Sequence, residues 1–266
     1  MYDRFDRKID YLRISVTDRC NLRCVYCMPA EGIRLLRHED ILSFDEITEV
    51  ARIAIELGVR KIRLTGGEPL VRKGIVDLVS MLSAIPGVED LSMTTNGILL
   101  AQFALLLKEA GLRRVNVSLD TLDPDRFRIL TRGGDLEEVM KGIMIAREAG
   151  LMPVKLNCVT SGHFDPSDAI EVKRFGEENG FEVRLIRQMD LAAGEFYGVE
   201  GGDGGKCSLC NRLRLTSNGK IKPCLFNSIG FDVRKLGARE AILRAIDNKP
   251  RCGTFNEEEE FFRIGG

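Results

Sequence analysis

The sequence predicts an α/β protein built on a parallel sheet, and three observations support this fold class. Short apolar segments alternate with amphipathic segments through the first 190 residues. The amphipathic segments have helix boundaries, such as a capping box at Ser43 and Glu46 and a stop at Gly58. Polar motifs follow the predicted strands, where parallel sheets bind their ligands. Six such units fit an open doubly wound sheet or a partial barrel.

The predicted elements follow one another in a regular order. The six strands are short and apolar, and they cover residues 12–16, 61–65, 90–94, 114–119, 154–159 and 182–186. The helices carry apolar residues at helical spacing, and they cover residues 43–57, 75–83, 101–110, 136–149 and 167–179. Each helix leads into the next strand, as a parallel sheet requires.

A change in composition divides the chain. Six glycines fall between residues 191 and 206, which is too many for a regular helix or strand. We therefore expect a sheet domain over residues 1–190 and a glycine-rich connector over residues 191–206. The remaining region, residues 207–266, carries a second group of cysteines and ends in Gly265 and Gly266.

Composition limits the classes of function. The 266 residues include 39 basic and 40 acidic ones, so no basic excess indicates a nucleic-acid partner. No apolar run approaches the ~18–20 residues of a membrane span. The first residues lack the apolar core of a secretion signal. We expect a cytoplasmic protein without a membrane partner, in which eight cysteines serve as ligands rather than in disulfides.

Three cysteines after the first strand form a compact group. Cys20, Cys24 and Cys27 have the spacing C-x3-C-x2-C, whereas a closed structural zinc site takes four ligands. Thiolates are also the ligands of iron–sulfur clusters. A cluster held by three thiols leaves one iron open to a substrate, so we expect chemistry at this position.

The C-terminal region contains a second group of cysteines. The group has the spacing C-x2-C-x13-C and consists of Cys207, Cys210 and Cys224. Cys252 could complete a zinc ribbon with them. Arg212 and Arg214 follow directly, and on an extended strand they would project to one side. The spacing therefore allows an open iron–sulfur cluster beside guanidinium groups or a closed zinc site.

Four predicted strands place one basic residue between apolar neighbours. These residues are Arg13, Arg63, Lys155 and Arg184. Strands of a helix-covered parallel sheet are usually buried on both faces, and an unpaired buried cation is costly. At an open edge the cations would face water instead. We favour a partial barrel whose interior is a positively charged cavity, suited to a polyanion such as a chain of phosphates.

Both cysteine patterns, taken with their neighbours, resemble the GTP 3',8-cyclase family of molybdenum cofactor biosynthesis. Members of this family are radical S-adenosylmethionine (SAM) enzymes. The resemblance covers residues 11–190 and 207–226. It rests on the segments SVTDRCNLRCVYCMP (15–29), RLTGGEPL (63–70), TTNG (94–97), NVSLD (116–120) and CSLCNRLRL (207–215). The first segment alone indicates only a radical SAM enzyme, whereas the last one and the two terminal glycines narrow the resemblance to this family.

The resemblance implies a fold and two cofactors. The fold is an incomplete six-stranded βα barrel, or partial TIM barrel, with a small C-terminal cluster-binding extension. By resemblance, Cys20, Cys24 and Cys27 bind a 4Fe-4S cluster whose open iron binds SAM. Cys207, Cys210 and Cys224 correspond to the ligands of an auxiliary 4Fe-4S cluster whose open iron binds the guanine of GTP.

The resemblance also assigns roles to individual residues. The SAM-binding positions correspond to Tyr26, Gly67, Ser118 and Met189. The GTP-binding positions correspond to Arg13, Arg63, Thr94, Lys155, Arg184, Arg212 and Arg214. The positions that act in catalysis correspond to Arg212, Arg214, Gly265 and Gly266. Four of the GTP-binding positions are the basic strand residues that charge and burial had already assigned to an anion.

The implied activity is a lyase reaction. Members of the family convert GTP to (8S)-3',8-cyclo-7,8-dihydroguanosine 5'-triphosphate, the first step of molybdenum cofactor biosynthesis. Cleavage of SAM gives a 5'-deoxyadenosyl radical that removes the ribose 3' hydrogen, and the ribose radical attacks carbon 8 of guanine. The expected partners are GTP, a one-electron donor and the downstream cyclic pyranopterin monophosphate synthase. A homodimer is one possible assembly.

The chain departs from the family in a few places, and two rival functions remain. The segment between Met189 and Cys207 is short, and Arg187 and Gln188 replace an acidic and an aromatic residue. One rival is a radical SAM enzyme that acts on a peptide or another small molecule. The other is a zinc-binding module without catalysis. Cys252 matches no ligand of the family.

Overall fold

The structure, a computed structural model, describes residues 1–160, 165–256 and 264. The described strands are β1 (Tyr11–Ser15), β2 (Lys61–Thr65), β3 (Asp90–Thr95), β4 (Arg114–Ser118), β5 (Lys155–Thr160), β6 (Glu182–Arg187), β7 (Arg212–Leu215), β8 (Lys220–Lys222) and β9 (Phe231–Asp232). The described helices are α1 (Phe44–Glu56), α2 (Ile75–Ser83), α3 (Leu100–Glu109), α4 (Pro124–Thr131), α5 (Leu136–Glu148), α6 (Pro166–Asn179), α7 (Val233–Leu236) and α8 (Ala238–Asp247). None of these helices is long and apolar enough to cross a membrane.

The described strands form one nine-stranded sheet in the order β6-β5-β4-β3-β2-β1-β7-β8-β9. Strands β1 to β6 are parallel and lie beside their neighbours in sequence. β6 and β9 are the two edges, so this sheet does not close on itself. The predicted α/β class and the incomplete six-stranded βα barrel are therefore confirmed.

The C-terminal region continues the sheet of the first 190 residues. β7 pairs in parallel with β1, and β8 and β9 follow as antiparallel strands. The pairing register places Arg212 beside Tyr11 and Arg214 beside Arg13. The division at residues 191–206 stays a prediction, but the hydrogen-bonded sheet runs through both parts.

The helices cover one face of the sheet and form the core with it. In β1, Leu12 and Ile14 have no exposed surface and pack in the same core as Ile62 and Leu64 of β2. Successive side chains of a strand point to opposite faces, so the residue between each pair points away from the helices. This alternation puts Arg13 and Arg63 on the inner face.

Most elements begin and end within two residues of their predicted bounds, but α4 was not predicted. Its start is marked by Asp123, whose carboxylate accepts a hydrogen bond from the Arg126 amide at 2.9 Å, and by Pro124 in the first turn. Both are standard N-terminal signals. The eight-residue helix buries only Phe127 and two residues at its end, which leaves little helical periodicity to read.

Candidate active site

One cavity of about 570 Å³ occupies the inner face of the barrel strands. It is lined by Cys20, Cys24 and Cys27 at one end and by Cys207, Cys210 and Cys224 at the other. The first group follows the carboxyl end of β1. The second precedes β7 and follows β8, which the register places at the amino end of β1. Because β1 has five residues, at about 3.3 Å per residue the two groups lie on the order of 16 Å apart.

The first cysteine group lies on a loop held by its own backbone. The amides of Cys27 and Met28 donate to the Cys24 carbonyl at 3.0 and 3.1 Å. The Leu22 amide donates to the Cys20 sulfur at 3.4 Å. Burial, together with the negative charges of Cys27 and Asp120, raises the pKa of Cys24 far above its usual value.

Gly66 and Gly67 fit this loop because no side chain has room there. A Cβ atom on Gly67 would lie 2.4 Å from the Arg19 carbonyl oxygen, and one on Gly66 would lie 2.6 Å from that of Thr17. The Gly67 amide donates to the Thr17 carbonyl at 2.8 Å. The loop after β2 therefore positions the cysteine loop and lets backbone approach a ligand in the cavity.

Glu68 links the loops that follow β2 and β3. Its side chain is buried and accepts hydrogen bonds from the Asn96 amide at 2.7 Å, the Thr95 hydroxyl at 2.8 Å and the Leu70 amide at 3.0 Å. Burial raises the pKa of Glu68 to about 7. Sequence reasoning noted its motif but did not select this carboxylate.

The four predicted SAM-binding residues all line the cavity: Tyr26, Gly67, Ser118 and Met189. The Tyr26 hydroxyl donates to Asp120 at 2.7 Å, and Asp120 in turn accepts from the Val159 amide at 2.9 Å. Burial raises the pKa of Asp120 to about 6. The loop of the first cysteines is thus tied to the ends of β4 and β5.

A row of arginines crosses the middle of the cavity. Arg214, Arg13 and Arg63 lie side by side on β7, β1 and β2. Burial lowers the pKa of Arg63 to about 9 and the pKa of Arg214 well below its usual range. Among the described residues, the buried Nε atoms of Arg13 and Arg184 have no hydrogen-bond partner. Closely packed cations with unused donors indicate a site for an anion.

Tyr11 lies beneath this row and was missed by the sequence reasoning. Its ring centre is 5.4 Å from the Arg63 guanidinium carbon and 6.0 Å from that of Arg13. Burial alone would raise the pKa of Tyr11, but the positive charges of Arg63 and Arg13 outweigh it and lower that pKa. The ring supports both guanidinium groups through cation–π contacts.

Six of the seven predicted GTP-binding residues line the cavity: Arg13, Arg63, Thr94, Arg184, Arg212 and Arg214. Lys155 is the exception. Its ammonium forms an ion pair with Glu182 on the neighbouring strand. Asn157 lines the cavity from two residues further along β5, so Lys155 lies about 6.6 Å closer to the amino end of that strand.

The second cysteine group is surrounded by positive charge. The Lys249 side chain is buried, and its ammonium donates to the carbonyls of Pro223 at 2.6 Å and Arg212 at 2.7 Å. A further hydrogen bond joins it to Cys210. Burial alone would raise the pKa of Cys210, but Lys249 and Arg212 outweigh it and lower that pKa to about 7. Lys249 connects the two segments that carry the cysteines, and no sequence pattern pointed to it.

The cysteine arrangement fits iron–sulfur clusters better than zinc. All eight cysteines are free thiols. In the described part of the chain, no three His, Cys, Asp or Glu side chains are gathered around a single metal ion. The thiols of one cluster bind different irons, so they stand further apart than the ligands of one ion. Each trio borders the cavity and leaves room for a further ligand, as a cluster with an open iron requires.

The connector forms part of the cavity wall. Phe196, Val199 and the segment 202–206 line it. Gly205 has a φ of +75°, and a Cβ atom there would lie 1.8 Å from the Tyr197 carbonyl oxygen. This glycine is therefore required by close packing as well as by backbone conformation.

The predicted roles of Gly265 and Gly266 lie outside the described residues. The preceding residue, Ile264, is fully buried and packs in a small cluster with Leu191 and Phe226. Phe226 lines the cavity.

Comparisons with known proteins give a consistent result. Residues 14–176 match the Radical SAM superfamily. A GTP 3',8-cyclase from Peptoclostridium acidaminophilum is 42% identical over 319 aligned positions, which cover 100% of this chain and 98% of the relative. A GTP 3',8-cyclase from Moorella thermoacetica is 44% identical over 294 positions, covering 92% of this chain and 91% of the relative. The first alignment is longer than the 266-residue chain, so some segments of that relative have no counterpart here.

A solved structure shows the same fold. The crystal structure of Streptococcus suis SuiB bound to precursor peptide SuiA matches with a TM-score of 0.66 and 18% identity, over 92% of this chain and 66% of that one.

Proposed function

The chain belongs to the radical SAM superfamily and, within it, to the GTP 3',8-cyclase family, and we propose that its cavity carries out the GTP cyclisation. The product is (8S)-3',8-cyclo-7,8-dihydroguanosine 5'-triphosphate, which enters molybdenum cofactor biosynthesis. One observation carries this proposal: two open cysteine trios border one cavity, with a row of arginines between them.

The two ends of the cavity have different roles. Cys20, Cys24 and Cys27 hold the first 4Fe-4S cluster, and SAM lies against it near Tyr26, Gly67, Ser118 and Met189. Cys207, Cys210 and Cys224 hold the auxiliary cluster. When bound, these groups supply the electron, the carbon radical that removes the ribose hydrogen, and an open iron for the guanine.

The arginines bind the triphosphate and fix the ribose between the two cofactors. Arg13, Arg63 and Arg184 offer buried donors that a phosphate oxygen can accept. Arg212 and Arg214 lie beside the auxiliary trio, so they orient the nucleotide at that end. Lys155 adds positive charge from below the lining. Holding the ribose at a fixed distance, away from water, confines the radical to one hydrogen.

Other assignments follow the family. We propose that Gly265 and Gly266 reach the cavity, because Ile264 packs against its wall and because residues without side chains fit a narrow space. We place the enzyme in the cytoplasm, with a one-electron donor and cyclic pyranopterin monophosphate synthase as partners. A homodimer is compatible with this function.

Incubation of the anaerobically reconstituted protein with SAM, a reductant and one nucleoside triphosphate at a time tests the proposal. We expect GTP alone to give the cyclic product, identified by mass spectrometry and by its acid conversion to a pterin. Equal turnover of ATP, or SAM cleavage stimulated by a peptide but not by GTP, would contradict it. A colourless protein with zinc and no iron would favour the zinc-binding module.

A further inference from the structure

Cys252 belongs to neither cysteine trio, yet it lies against one of them. Its sulfur is exposed and is 3.1 Å from the sulfur of Cys207. Its neighbour Gly253 is also close to the trio, because a Cβ atom there would lie 3.3 Å from the Cys224 sulfur.

A buried arginine holds the two cysteine segments together. Arg7 donates to the carbonyls of Cys207 at 2.8 Å, Arg251 at 3.1 Å and Pro250 at 2.7 Å. The same side chain is buried and donates to Asp3 at 2.7 Å. Three hydrogen bonds from one fixed guanidinium make the approach of Cys252 to Cys207 part of the folded structure.

A surface depression gives small molecules access to this pair of thiols. It has a volume of about 450 Å³ and is lined by Phe5, Arg7, Cys207, Ser208, Arg251 and Cys252. The lining contains two guanidinium groups and no carboxylate. A small anionic molecule therefore fits it. Cys207 also lines the main cavity, so this cysteine is reached from both sides.

The sulfur–sulfur distance favours a pair over a fourth cluster ligand. Two thiolates on one zinc ion, each about 2.3 Å from the metal, would be roughly 3.8 Å apart. Thiolates on different irons of one cluster are separated by the cluster itself. At 3.1 Å the sulfurs are closer than either arrangement allows, and a disulfide joins sulfurs about 2.05 Å apart.

We propose that Cys207 and Cys252 form a reversible disulfide when the auxiliary cluster is absent and a small anionic disulfide is present. The Cys252 thiolate attacks the small disulfide, forms a mixed disulfide and releases one thiol. The Cys207 thiolate then attacks the Cys252 sulfur and releases the second thiol. Two electrons pass from the protein thiols to the small disulfide, and two protons leave the protein thiols and are taken up by the released thiols.

This disulfide would control loading of the auxiliary site. It rests on the proposed function in one respect, since Cys207 is taken as a cluster ligand. In the loaded protein Cys207 is bound to iron and protected. In the cluster-free protein the disulfide withdraws Cys207, so the auxiliary cluster cannot assemble until a thiol reduces the bond.

Peptide mapping of cluster-free protein treated with oxidised glutathione tests the proposal. Trypsin releases Cys207 in residues 207–212 and Cys252 in residues 252–263. We expect these peptides to be joined, with fragmentation assigning the bond to Cys207 rather than Cys210, and to separate after dithiothreitol. A bond between Cys207 and Cys210, or glutathione on Cys252 without a cross-link, would overturn it.

Iron loading and one matched variant separate this proposal from the function. Oxidised protein should take up about half the iron of reduced protein, and Cys252→Ser should load fully whether or not it was oxidised. If Cys252→Ser loses the auxiliary cluster under reducing conditions, Cys252 is a ligand and the proposal fails. Arg251→Glu should slow the reaction with glutathione disulfide severalfold and leave that with neutral hydroxyethyl disulfide unchanged; equal slowing would contradict an anion-binding depression.

Discussion

The two cysteine trios offer the same ligands in opposite electrostatic surroundings. Around the first trio, burial and nearby negative charge raise the pKa of Cys24. Around the second, Lys249 and Arg212 outweigh burial and lower the pKa of Cys210 to about 7. One site therefore opposes negative charge on sulfur and the other favours it.

This difference teaches how one cavity can use two similar clusters for different tasks. Reduction adds negative charge to a cluster, so a positive surrounding raises its reduction potential. We expect the auxiliary cluster to be the easier of the two to reduce. The same cations bind an anionic nucleotide, so substrate binding and redox tuning share the same residues.

Removal of one ligand from each trio should give the largest and most different effects. Cys24→Ser should abolish 5'-deoxyadenosine formation, because a site with two thiols cannot hold the cluster. Cys210→Ser should keep SAM cleavage but lose the cyclic nucleotide. Chromatography of both products in one reaction checks this. Equal loss of SAM cleavage in the two variants would remove the distinction between the sites.

Arg212→Ala should affect only the nucleotide end of the cavity. Loss of a charge-assisted hydrogen bond costs about 1.5–3 kcal/mol, so GTP affinity should fall roughly 10–150-fold while SAM cleavage persists. Equilibrium binding of GTP to the reconstituted protein measures this. The exposed Arg113→Ala is the control and should bind as the unaltered protein does.

Lys249→Met should lower the reduction potential of the auxiliary cluster by tens of millivolts. The substitution removes a buried positive charge and leaves two carbonyls without their donor, so the midpoint temperature of unfolding should also fall. A redox titration monitored by electron paramagnetic resonance, in a Cys24→Ser background, isolates this cluster. Lys249→Arg should restore the potential, and an unchanged potential in Lys249→Met would refute the electrostatic comparison.

Glu68 should make the cluster-free protein less stable as the pH rises. Its pKa is about 7 in the fold against an ordinary 4.5, so between these values the unfolded chain releases a proton that the folded protein keeps. The free energy of unfolding should fall through this window by on the order of 3 kcal/mol. Urea unfolding at pH 5 and pH 8 measures the change. Glu68→Gln should show a smaller one, with the rest due to Asp120.

Local patterns were enough to predict most of the fold and of the cavity. Alternation along β1 and β2 placed Arg13 and Arg63 on the inner face, and the cysteine spacings marked both ends of the cavity. These signals work because side-chain direction in a strand depends only on position. The motifs of the first 190 residues all follow strands that lie side by side.

Contacts between distant segments could not be predicted. The pairing of β7 with β1 sets Arg214 beside Arg13 across about 200 residues of sequence, and no local pattern specifies it. Lys249, Arg7 and Cys252 reach the second trio in the same way. Lys155 shows the opposite limit: its alternation was right, but its level along β5 depended on the register with β6.

The transfer of one hydrogen tests the central claim most directly, because it requires SAM and GTP to meet in one cavity. The reconstituted protein is incubated with SAM, a reductant and GTP that carries deuterium at the ribose 3' carbon. We expect one deuterium in 5'-deoxyadenosine, matched by an equal amount of cyclic product. Formation of 5'-deoxyadenosine without deuterium, while the label stays in GTP, would show that the two ends of the cavity do not act on one another.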